Sequence, residues 1–85
     1  MKLDEVKVLI CRQGLTDELM AEFLKSLRRV PGNWSKCQHC YLLAYELREW
    51  DYAGALRLIE YGLANFADCL TAERFCYEKK FFTET

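Results

Sequence analysis

Eighty-five residues suffice for one domain with a thin core, because a chain this short buries little more than ~60% of the surface its unfolded form exposes. Apolar residues make up 52% and charged ones 29%, a balance that folds instead of staying disordered. A net charge of −1 lacks the basic field that nucleic-acid binding needs, and charges recur too often for about 20 apolar residues to span a bilayer, so neither nucleic acid nor membrane is an expected partner.

Met1-Lys2-Leu3-Asp4-Glu5 places acids ahead of a short apolar run, unlike the basic head and long core of a secretion signal, and the expected location is the cytosol. Leu3, Val6, Leu9 and Ile10 recur at helical spacing, and Gly14 is placed to stop this first helix. Thr16, followed by Asp17 and Glu18, supplies an N-cap and first-turn carboxylates for a second helix. Its apolar stripe is Leu19 or Met20, Phe23, Leu24 and Leu27, and it is predicted to end near Val30 because Pro31 has no amide hydrogen to give.

Ser35 and Gln38 have the spacing of a capping box, which predicts a third helix from there through Glu49. Cys37, Cys40, Tyr41, Ala44, Tyr45 and Leu47 or Arg48 follow one side of it. Asp51 is the expected cap of a fourth helix with the stripe Tyr52, Ala55, Leu56, Ile59, Leu63 and Phe66. A fifth helix, capped by Asp68 or Thr71, carries Ala72, Phe75, Cys76 and Phe82. Nothing has the strict alternation of a strand, so the expected fold is all-α, about five helices in antiparallel hairpins within a single domain, residues 1–85.

Arg48-Glu49-Trp50-Asp51-Tyr52-Ala53-Gly54-Ala55-Leu56 resembles the turn and second-helix start of a tetratricopeptide repeat. That resemblance covers Cys37 to Leu70 and implies that Ala55 allows a close helix approach with Tyr52 filling the space beside it. Leu43, Trp50, Gly62 and Ala67 depart from the consensus. A very small repeat protein bearing cysteines is similar to the chaperones of bacterial type III secretion needle subunits. The resemblance implies a non-catalytic chaperone or adaptor that holds an amphipathic helix of a needle subunit in an apolar groove, with a second small helical co-chaperone, and so blocks premature assembly. In such repeats the first helix of each pair faces inward, which nominates Tyr41, Leu42, Tyr45 and Cys37, with Val6 and Ile10 from the first helix. Tyrosine suits this part, since it offers apolar area with a polar tip.

Two other readings compete. Cys37-Gln38-His39-Cys40 has C-x-x-C spacing for zinc or a redox pair. A zinc site needs about four ligands, and no second C-x-x-C knuckle is present, so the pair also reads as two small core residues on one helix face. The stretch from Tyr52 to Leu63 also resembles a segment of phage packaging proteins, which implies a helical assembly subunit. No phosphate loop, Ser-His-Asp set or paired-acid arrangement points to an enzyme, no cofactor is implied, and His39 is the sole histidine. The odd number of cysteines, five, suits reduced and buried thiols.

Overall fold

Each helix boundary has a local cause. The computed structural model describes residues 1–66, which form α1 (Leu3–Gln13), α2 (Asp17–Leu27), α3 (Asn33–Leu47) and α4 (Tyr52–Phe66), with no strand among the described residues. The expected fifth helix lies outside them.

Gly14 ends α1 at φ 88°, in the left-handed half of backbone space where a side chain is strained, and its N–H donates to the Ile10 carbonyl at 2.8 Å. The Thr16 hydroxyl accepts from the Leu19 N–H at 3.2 Å and so caps α2 as expected. The α-helix stops at Leu27, ahead of the expected Val30. The Arg29 and Val30 N–H groups then turn back to the Ser26 and Leu27 carbonyls at 3.2 and 3.0 Å, a tightened last turn before Pro31.

The Ser35–Gln38 capping box does not form. α3 already starts at Asn33, with Gly32 at its N-cap and no side-chain cap bond, and the Lys36 N–H reaches the Gly32 carbonyl at 3.3 Å. The backbone turn at Gly32 sets the start, which leaves Ser35 inside the helix. Asp51 does cap α4. One carboxylate oxygen accepts from the Gly54 N–H at 3.1 Å and the other from the Leu15 N–H at 2.8 Å, so this side chain also ties the α1–α2 loop to the α3–α4 loop.

The Ser26 hydroxyl donates to the Met1 carbonyl at 2.9 Å, which shows that α2 runs back along α1. The Cys37 thiol donates to the Gly62 carbonyl at 3.5 Å, which shows the same of α4 on α3. Two antiparallel hairpins result, and α1 and α3 run side by side in the same sense. Val6, Ile10, Phe23, Leu27, Leu47 and Leu58 are fully buried at the centre. The α3–α4 seam is the most extensive helix contact, and many of the buried residues of these two helices are small: Cys37, Cys40 and Ala44 on one, Gly54, Ala55 and Gly62 on the other. Short side chains let the helix axes come close. Ala55 is fully buried, and Tyr52, the first residue of α4, is half exposed. No helix among the described residues is long and apolar enough to cross a membrane.

Candidate functional site

Between α1 and α3 lies an open trough of about 650 Å3, lined by Asp4, Lys7, Val8, Cys11 and Arg12 from α1 and by Leu42, Leu43, Tyr45 and Glu46 from α3. Its apolar floor is Leu43, which is buried, and its rim is Val8, Leu42 and Tyr45, exposed to 50%, 49% and 39%. These three are large apolar groups with water on one side, and they share one depression.

Local sequence explains why they face out. On α1 the phase of Val6 and Ile10 points into the core, so Val8, midway between them, is turned away. On α3 nearly every position from Tyr41 to Leu47 is apolar, and the small residues Cys37, Cys40 and Ala44 turn toward the core because they fit the narrow seam. Leu42 and Tyr45 are left on the opposite side. Arg48 steadies the tyrosine: its guanidinium carbon stands 3.6 Å from the ring centroid, a cation–π distance, while one terminal nitrogen is buried without a hydrogen-bond partner. The Tyr41 ring lies 6.2 Å from that of Tyr45, in a tilted pair.

The residues predicted to bind a partner therefore divide. Leu42 and Tyr45 are on the trough and accessible, and Tyr41 is half-buried against the core. Val6, Ile10 and Cys37 are fully buried, so they offer a partner no surface. Sequence reasoning missed Val8, and with it Asp4, Lys7, Cys11, Arg12 and Glu46. Asp4, Val8 and Arg12 follow one another at helical i, i+4, i+8 spacing, a stripe out of phase with the core residues, and that signal was present in the chain.

One edge of the trough is polar and tied down. The Lys7 ammonium donates to His39 Nδ1 at 2.6 Å, which requires the imidazole to be neutral. Burial pushes the His39 pKa down, and the Lys7 cation pushes it further. Burial lowers Lys7 as well, against the opposing pull of Asp4, Cys40, Cys11 and Glu46. Cys11 is raised by burial and then by Glu46.

Cys37 and Cys40 sit in the core, and burial, followed by the neighbouring Cys37, pushes the Cys40 thiol up to about 12. A thiol held protonated is a poor nucleophile. Among the described residues, no three His, Cys, Asp or Glu side chains gather as metal ligands would.

Compared with protein-family models, with curated proteins and with solved structures, the chain has no match.

Proposed function

We propose that this protein is a non-catalytic binding module whose α1–α3 trough receives the apolar face of an amphipathic helix from another polypeptide. The observation that carries this is the grouping of Val8, Leu42 and Tyr45, each large, apolar and about half exposed, around one depression with a buried leucine at its floor. Completing the burial of three such side chains removes apolar surface from water at roughly 25 cal/mol per Å2, before the ordering costs of association. Helix-in-groove contacts work in this way: they take side chains at i, i+3, i+4 and i+7 from one partner and a trough from the other.

Two parallel helices from successive hairpins lining a trough is the arrangement a tetratricopeptide array uses, and the Arg48 to Leu56 segment resembles that repeat. On this ground the preferred partner is a type III secretion needle subunit, whose exposed assembly helix would be covered in the cytosol before secretion, with a second small helical co-chaperone alongside. The zinc or redox reading of Cys37 and Cys40 draws no support from two buried thiols, one of them pushed up to about 12.

The test is a fluorescence or calorimetric titration of the full chain with an amphipathic helical peptide, first the C-terminal helix of a needle subunit. Binding that weakens at least tenfold, about 1.4 kcal/mol, in Leu42→Asp or Tyr45→Ala with helicity unchanged supports the reading. A chain that binds no such helix at about 100 μM, some 5.5 kcal/mol of affinity, is not this kind of module.

A further inference from the structure

The trough carries charge as well as apolar area, and the arrangement of that charge selects an occupant. Two carboxylates, Asp4 and Glu46, and two cations, Lys7 and Arg12, line it. The sum is zero, so a strongly acidic or basic helix finds no long-range attraction there. The four charges are not equivalent. Lys7 bonds to His39 and feels Asp4, one turn before it on α1, more than Glu46 across the trough. Asp4 and Arg12 are both exposed, and the ion pairs found among the described residues, Arg57 with Asp17 and Arg48 with Glu49, involve neither.

Asp4, Val8 and Arg12 form a single stripe along α1, with an acid at one end, an exposed apolar residue in the middle and a base at the other end. At 1.5 Å per residue, the two charges stand about 6 Å along the axis on either side of Val8. A twofold axis through Val8 lays this stripe antiparallel on its own copy. It brings each Asp4 opposite the Arg12 of the other chain, twice, with Val8 against Val8 at the centre. A parallel pairing would instead set Asp4 against Asp4 and Arg12 against Arg12.

We propose that a second copy of this chain is the resting occupant of the trough, held through antiparallel packing of α1 on α1 about Val8, with two Asp4–Arg12 pairs and with Leu42 and Tyr45 flanking the seam. A chain of net charge −1 adds almost no general repulsion. One helix stripe and its rim make a small interface, so the dimer belongs to the weak class that buries less than about 1,200 Å2 in total and dissociates in the micromolar range or above. The proposal uses the same trough as the helix-binding reading but does not rest on it. Self-association is measured with no peptide present, so a monomer leaves the titration above undecided, and a failed titration leaves the dimer undecided.

Sedimentation equilibrium of the full chain across concentration, at low salt, is the measurement. The wild-type protein is expected to dimerise. Asp4→Arg and Arg12→Asp are each expected to weaken association at least tenfold, because the first carries two cations and the second two carboxylates on the stripe. An equimolar mixture of these two variants is expected to regain wild-type strength to within about threefold, since each then meets its opposite; tenfold corresponds to about 1.4 kcal/mol. Both positions are exposed, and far-ultraviolet circular dichroism checks that the helices persist. Val8→Lys, which sets two cations on the axis, is expected to dissociate the dimer should either reversal fail to fold. A wild-type chain that is monomeric up to about 1 mM, an affinity of only some 4 kcal/mol, overturns the proposal. Single reversals that associate like wild type, or a mixture no stronger than its components, overturn it too.

Discussion

Replacing Gly54 by alanine should destabilise this protein, although the same exchange inside a helix ordinarily stabilises by about 1 kcal/mol. A Cβ placed on Gly54 would lie 2.5 Å from one Asp51 carboxylate oxygen, 2.8 Å from its carbon and 3.0 Å from the other oxygen, closer than real methyl groups stand to such atoms. The carboxylate must then move, and it holds two N–H groups, those of Gly54 and Leu15. Losing a helix cap together with a charge-assisted bond to the neighbouring loop costs about 2 to 4 kcal/mol. Set against the gain in helix propensity, the net effect of Gly54→Ala is about 1 to 3 kcal/mol of destabilisation. That is a large part of a total of about 4 to 13 kcal/mol for a chain of this length. The decisive comparison uses the Asp51→Ala background, where the obstructing atoms are gone. There Gly54→Ala should be neutral or stabilising by up to about 1 kcal/mol, and Asp51→Ala alone should cost about 2 to 4 kcal/mol. Urea unfolding followed at the helical dichroism band gives all four corners of the cycle. If Gly54→Ala has the same sign with and without the carboxylate, the shared-carboxylate account is wrong.

Three further outcomes can be checked. Leu42→Ala and Leu43→Ala differ by one position, yet the first, at half-exposed Leu42, should change stability by less than about 1 kcal/mol while the second should cost about 2 to 5 kcal/mol, read from the same urea curves. His39 has a folded pKa below its ordinary 6.5, so the native state takes up a proton less readily than the unfolded chain; stability should be full above that value and fall as pH drops through it, and His39→Gln should flatten this slope in thermal melts between pH 7.5 and 5, a window of about one unit and more on either side of 6.5. Alkylation followed by peptide mass mapping should label Cys11 well before Cys37 and Cys40, which should react only as fast as the protein opens; prompt labelling of Cys40 in the native state would contradict its burial.

What the sequence disclosed was local. Gly14, Thr16 and Asp51 act on backbone groups within a few residues of themselves, and each does in the structure what its type and position predicted. The second task of Asp51, holding the Leu15 N–H, joins residues far apart in the chain, and no short-range pattern announces it. The Ser35–Gln38 pair shows the opposite failure. The spacing was right, but Gly32 had already turned the backbone into the helix upstream.

The stripe along α3 that joins Tyr41 and Tyr45 to Cys37, Cys40 and Ala44 leaves out buried Leu43, because Tyr41, Leu42, Leu43, Ala44 and Tyr45 are all apolar and helical period alone does not say which of them turns to the core. Tertiary packing decided it, burying Cys37, Cys40, Leu43, Ala44 and Leu47 and leaving Leu42 and Tyr45 outside. Val6, Ile10 and Cys37 have the residue types of a binding face, and the chain's own hydrophobic interior takes them up. Val8 was overlooked because a single valine between core positions carries no weight until its neighbours Asp4 and Arg12 are read with it.

The seam between α3 and α4 has a consequence for how this chain can vary. Cys, Ala and Gly are prominent among the buried residues of these two helices, and a cysteine sulfur rests on the Gly62 carbonyl. A larger residue at Ala44, Ala55 or Gly62 should cost stability, because it adds volume at a buried position. The α1–α2 contact, built on Val6, Ile10, Met20 and Phe23, is made of long side chains that can readjust around a substitution. Divergent relatives should therefore keep tiny residues along one hairpin while trading one bulky hydrocarbon for another in its neighbour.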